Sequence, residues 1–437
     1  MLEQLSRLAA NGQAPFHKYT DGDDKSYGRH HLPGRGADAA LAALAVVPPA
    51  YAALELSSPM LVFRSPTHAE LYAAYRNRRL LVTAGTLAGA ALLWRALRGE
   101  GSVGLAKATA RALGALAATA TVFYDAWLFK SRKTTSRVLR AEEAEEAFEG
   151  DDTEVLGVVI NGEARAYPVR KAARPHLIFD TLGGKEISVS YCGLTNSAIA
   201  YAAEGESAPR LSVVSAPSNN ILYWEANMGS LVQQLLPDVA HGPAAGRPMR
   251  TLPVVYTTWE TWRSLVPQTT MADPPYESLR DRIVTRVMRR AHMKTRTEER
   301  PFMAVAGGVD RTLHPKALLF ALCEAGQAQA YTRGYMSRKR ASNTAAGGHP
   351  VAVLYEPESD IAMAYRRDLD GRLTFRAAAV GFEDEETGTR WNVLGRATDG
   401  ELAGRTLDPV PFSFDKVFWF GWKHYHPDTA LFGISGE

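Results

Sequence analysis

Only two cysteines occur in 437 residues, Cys192 and Cys323. That scarcity excludes a disulfide framework and any metal site built from cysteine alone. Net charge is nearly absent too: 50 basic residues stand against 47 acidic ones, a formal charge of +3. No overall field therefore draws the chain to nucleic acid. Phosphate-binding loops, dinucleotide fingerprints and serine-centred nucleophile elbows are missing. No apolar run follows a basic start, so a cleavable secretory signal is not expected.

What is present is a chain too long for one ordinary core, with 46% hydrophobic and 22% charged residues, a composition that folds. Residues 1–38 form a polar extension, and 39–140 hold three apolar stretches. The first, Ala39 to Leu54, carries Pro48-Pro49, which interrupts a helix, so a kinked or interfacial segment and a membrane span stand as equal alternatives. The second, Leu80 to Trp94, is bracketed by Arg78-Arg79 and Arg95. The third, Ala112 to Phe129, holds one charge, Asp125, and ends in Tyr124, Trp127 and Phe129. With their flanks, the second and third reach the roughly 20 residues a membrane crossing needs. Small residues four apart let helix backbones approach closely, so Gly85, Gly89 and Gly114 are the expected packing positions of a transmembrane hairpin. A buried Ala-rich hairpin of a soluble protein is the competing reading.

The loop between these two stretches carries Arg95, Arg98, Lys107 and Arg111. The other side carries Arg76, Arg78, Arg79, Lys130, Arg132, Lys133, Arg137 and Arg140. Positive charge marks the inner side of a membrane, which points the C-terminal part to the cytoplasm or matrix.

Internal similarity organises the rest. Gly183-Gly184 opens a run to Tyr201, and Gly347-Gly348 opens a matching run to Tyr365. Their alternating apolar residues read as strand, turn and strand. Trp259-x-x-Trp262-x-x-x-x-Pro267-x-Thr269 has the same spacing as Trp419-x-x-Trp422-x-x-x-x-Pro427-x-Thr429. Indoles at i and i+3 fall on one helix face, so Trp259, Trp262, Trp419 and Trp422 are expected as structural anchors rather than a cofactor platform. The expected fold is α+β: membrane helices, a β-rich module at 151–271, a basic linker helix at 272–300 and a second module at 301–437. Leu279, Ile283, Val284, Val287 and Met288 lie near one face of that linker helix, among five arginines. Such a helix can lie on an anionic membrane, dock on an acidic partner, or pack on its own domain.

Val155-Leu-Gly-Val-Val-Ile-Asn-Gly-Glu-Ala-Arg-Ala-Tyr-Pro168 resembles a bacterial family of membrane-anchored or exported proteins, known as domain of unknown function three-one-seven-nine. The likeness continues through His176, Asp180 to Gly184, Tyr191-Cys192, Gly229-Ser230, His241-Gly-Pro243 and Trp262, and runs more faintly through the second module, so the family's domain is expected twice in tandem. The resemblance implies a Tyr-Cys-x-x-Cys motif with a histidine ahead of the Gly-Gly turn. Here His176 and Cys192 match, but Thr195 stands at the second cysteine position. In the second module Tyr355 is followed by Glu356. Two thiolates at that spacing chelate a soft metal or form a redox couple, and one cannot.

A nucleophilic Cys192 would need His176 as its base; an inert buried cysteine is the plainer expectation. His424 and His426 lack a ligand partner at diagnostic spacing. The expected role is a non-catalytic accessory subunit of a membrane complex, respiratory and in the mitochondrial inner membrane if the host is eukaryotic. Its partners would be other subunits and the bilayer, with no cofactor and no nucleic acid. The alternative is a membrane-anchored redox or metal-dependent enzyme with its site around His176 and Cys192.

Overall fold

The computed structural model describes residues 35–61, 65–124, 133–147, 153–203 and 209–434. Asp125, Trp127, Phe129 and nearly all of the polar extension lie outside them. Helix α1, Arg35–Leu61, runs unbroken through Pro48-Pro49. The reason lies on the neighbouring helix α2, His68–Leu97. Pro49 has no N–H to offer the Ala45 carbonyl, and α2 brings Gly85 to that spot. A Cβ on Gly85 would run into the Pro49 ring and stand 2.7 Å from the Ala45 oxygen. The bare glycine thus admits the ring and turns a Cα–H toward the stranded carbonyl, a weak but real contact.

The main helix pair is therefore α1 with α2, rather than the expected pairing of the second and third stretches. Helix α3, Val103–Tyr124, meets α2 at Gly89, where a Cβ would stand 3.0 Å from Leu113 Cδ1; Gly114 faces nothing within 4 Å. Among the described residues, two stretches are long and apolar enough to cross a membrane, Gly36–Ala53 and His68–Leu97. At its start, α2 lies on the β-domain, with Leu71 and Ala74 buried against Val214, Leu222 and Leu231. Past Arg79 it turns Leu80, Leu87 and Leu97 outward, 66–76% exposed. At the far end, buried Asp38 pairs with Arg95 at 2.8 Å and accepts the Ser102 N–H at 2.8 Å.

The β-rich region begins earlier than the boundary at 140. Lys133–Thr134 pairs parallel with Leu177–Leu182, and Val138–Arg140 pairs antiparallel with Thr270–Ala272. These strands are too short and polar to show a period in the sequence. A hairpin follows, Glu154–Ile160 with Glu163–Pro168, then a meander of Leu177–Leu182, Lys185–Cys192 and Ser197–Ala202. A four-stranded sheet comes next, between Leu211 and His241. Val255–Thr258 then returns antiparallel to the first hairpin strand, helix Trp259–Leu265 follows, and Thr270–Ala272 lies parallel to the second hairpin strand.

From Leu318 the chain takes the same path. Hairpin Leu318–Glu324 with Gln327–Thr332 leads into a meander of Ala341–Ala346, His349–Glu356 and Ile361–Arg366. A small four-stranded sheet between Phe375 and Asp399 precedes Ser413–Phe418, helix Trp419–Tyr425 and Ala430–Phe432, which return to the hairpin as before. The meander turns use Gly183-Gly184 and Gly347-Gly348, all at positive φ, the left-handed conformation that glycine adopts without strain.

Packing crosses between the halves. Val155, Val255, Trp262 and Met271 of the first hairpin sheet share a core with Leu354, Ile361, Phe375 and Trp391 of the second meander and its small sheet. Conversely, Cys192, Ile199, Tyr201 and Tyr223 share a core with Leu319, Ala321, Phe414 and Trp422. The two halves thus complete each other. Buried Asp415 sits at the crossing, accepting the Tyr256 N–H at 3.1 Å and the Ala362 N–H at 2.9 Å.

Candidate functional site

His176 precedes the first meander strand and adopts φ +57°. Its carbonyl accepts the Tyr191 N–H at 3.0 Å, and its Nδ1 lies 3.1 Å from the Tyr191 carbonyl. The ring is buried and faces His292 of the linker helix, Leu279–Thr297, with ring centroids 5.9 Å apart. Burial pulls the His176 pKa down to about 4 and the His292 pKa to about 3. Both imidazoles are therefore neutral at physiological pH. His292 covers Gly193, where a Cβ would stand 2.5 Å from the ring. Only glycine after Cys192 lets the linker helix close over the motif. Behind it, Arg296 of the same helix donates to Glu154 at 2.7 Å and to the Tyr256 hydroxyl at 3.1 Å.

Cys192 points the other way. It is 1% exposed, within the second shared core, and its thiol donates to the Asn219 carbonyl at 3.5 Å. No hydrogen bond joins it to His176 among the described residues, so the two family-matched residues share a strand end without forming a nucleophile–base pair. Cys323 is buried as well, and burial raises its pKa to about 11. His426 stacks on Trp422 at 3.9 Å, with its Nε2 2.8 Å from the Leu235 carbonyl. His424 stands in another environment, its pKa lowered by burial and by His68. Among the described residues, no three His, Cys, Asp or Glu side chains gather as metal ligands.

The turn after Cys192 roots a buried polar network. Thr195 Oγ1 lies 2.8 Å from Ser197 Oγ, which donates to Gln234 Oε1 at 2.7 Å. Asn220 Nδ2 donates to both Thr195 and Gln234, and Gln234 Nε2 donates to Ser190, whose hydroxyl lies 2.6 Å from that of Tyr223. The amide pairs Asn219-Asn220 and Gln233-Gln234, flanked by apolar residues, were the available hint. The network is closed by the second half: the Thr195 carbonyl accepts the Phe418 N–H at 2.9 Å, and Gly421 packs on the Thr195 methyl.

All four motif tryptophans are buried. The Trp262 indole donates to Thr269 at 2.8 Å and the Trp422 indole to Thr429 at 3.0 Å. Trp262 also fills the space left by Gly157, where a Cβ would run into the indole.

Helices long and apolar enough to cross a membrane lead into a β-rich domain with a sealed polar interior around the 191–197 turn. The chain belongs to the family described as Protein of unknown function (DUF3179), whose model matches residues 134–429. That single match spans both halves. No match to a curated protein or to a solved structure was found.

Proposed function

We propose that this protein is a non-catalytic, membrane-anchored accessory subunit whose β-domain braces a larger assembly. One observation carries the reading: the two residues that family chemistry would use, His176 and Cys192, are 4% and 1% exposed and engage different neighbours. A catalytic thiol needs access and an adjacent base, and Cys192 has neither here. The domain lies on the cytoplasmic or matrix side, in keeping with the arginines at the domain end of α2. In a eukaryotic host the assembly is a respiratory complex of the mitochondrial inner membrane. The matching order of elements from Glu154 and from Leu318 supports a further proposal, that the domain arose by duplication of one half.

The test is gentle solubilisation of the intact protein from its own membrane, with mass spectrometry of what migrates with it. Co-migration with a defined set of subunits is the expected result. A chain that migrates alone and carries a metal, haem or flavin overturns the proposal. So does a Cys192→Ala variant that assembles normally but is functionally dead.

A further inference from the structure

The linker helix, Leu279–Thr297, is turned inside out. Its buried face is polar: Asp281, Thr285, His292 and Thr295. Asp281 anchors that face, meeting Lys133 at 2.8 Å and Arg174 at 2.5 Å. Leu279, Ile283 and Val287, four residues apart, form a stripe on the opposite face and are 54–71% exposed. Of the alternatives open from the sequence, packing of this stripe on its own domain is set aside, because the ion pairs of Asp281 fix the other face inward.

Arginines border the stripe. Arg282, Arg286 and Arg289, with Arg170, Lys171, Tyr276 and Asp273, line a cleft of about 300 Å³. Among the described residues lining it, five cationic side chains face one carboxylate, and Lys171 already pairs with that Asp273 at 2.9 Å. Arg282, Arg286 and Arg289 form no ion pair among the described residues. An outward apolar stripe beside unneutralised arginines suits the boundary between headgroups and acyl chains.

The helix also lies near the anchor along the chain. Gly89 of α2 faces Leu113 of α3, so in an antiparallel pair Tyr124 comes level with about Arg78. From there eight residues lead to Lys133, which holds Asp281. Such a tether spans at most roughly 30 Å.

We propose that the linker helix rests on the bilayer surface, with Leu279, Ile283 and Val287 immersed and the phosphate of an anionic lipid in the arginine cleft. This rests on the membrane-anchored reading, and the experiment separates the two. The full chain carrying Val287→Cys, labelled with a polarity-sensitive fluorophore, is reconstituted into phosphatidylcholine vesicles with and without phosphatidylglycerol. Cys192 and Cys323 are buried and compete little for the label. The expected result is blue-shifted emission with phosphatidylglycerol, quenched by a lipid-borne quencher. Adding Arg286→Glu and Arg289→Glu should abolish the shift while leaving the thermal melt in place. Inorganic phosphate should not reverse it; full reversal would mark a free-phosphate site and overturn the proposal. Water-like emission in both lipids overturns it as well. Shielding seen only in native membranes, and not in protein-free lipid, assigns the face to a protein partner and is equally fatal. Carbonate washing of the same vesicles reads the anchor by itself, so a retained chain with an unshifted label condemns the surface helix alone.

Discussion

The turn at 191–197 and the turn at 355–361 occupy corresponding places in the two halves and have opposite interiors. His176 and Arg340 both stand at positive φ before a meander, and each accepts the N–H of the following tyrosine, Tyr191 or Tyr355. Asn196 and Asp360 repeat the coincidence at φ +52° and +50°. Yet Arg340 reaches Glu356 at 3.1 Å, whereas His176 turns away from Cys192 toward His292. In the second half the turn is acidic and solvated, and Asp360 takes Lys416 at 3.2 Å. In the first half it is sealed under the linker helix and the Trp422 helix. One backbone thus supports an ion pair where water reaches it and a neutral polar network where it does not.

The comparison breaks most completely if either half can stand alone. Expressed by itself, residues 301–437 should show no cooperative unfolding transition by circular dichroism, because two of its cores lack their other wall. A cooperative melt of the isolated segment would show the halves to be independent.

Next in size are the tryptophans. Trp262→Ala and Trp422→Ala should each cost about 3–5 kcal/mol in denaturant unfolding, and by similar amounts, since both anchor a shared core. A loss confined to one of them would mean that a single core dominates.

The linker-covered half should also show an acid weakness. The His176 and His292 pKa values are depressed in the fold, to about 4 and about 3. The unfolded chain therefore binds more protons as pH falls below about 6.5. Their contribution is full above that pH and is lost on acidification toward the folded values. Each adds a slope of about 1.4 kcal/mol per pH unit in that window. His292→Phe should flatten the wild-type slope between about pH 6 and about pH 4, as read by chemical denaturation. An unchanged slope would place His292 in water.

The smallest effects belong to the divergent pair. Cys192→Ala should cost about 1–2 kcal/mol of packing and leave function intact. Glu356→Gln, at a part-exposed ion pair, should cost about 1 kcal/mol or less. Thermal denaturation of the two variants side by side ranks them.

Much of this contrast was hidden from the sequence for physical reasons. The Trp-x-x-Trp spacing was visible because two large rings and a threonine seven residues on must keep register for the indole to find its acceptor. Pro48-Pro49 left the first stretch undecided because its accommodation depends on Gly85, a residue on another helix. The linker helix showed its two faces plainly, but which one points inward depends on Lys133 and Arg174, far away in sequence. His292 looked like one more polar residue among arginines. The Ser, Thr, Asn and Gln network resembled ordinary turns, since hydroxyls and amides give no sign of being buried until their partners are known.

The crossed cores also set a timetable for synthesis. When Met271 has been made, the face carrying Trp262 has no partner, because the second meander and its small sheet are still to come. Leu407, the last buried residue of that core, follows 136 residues later, about 7–27 s at 5–20 residues per second. Through that interval a half-walled sheet stands beside newly made apolar helices, open to misplaced contacts. The nascent chain should therefore be a client of holding chaperones, and released only when the second meander and its small sheet have been made.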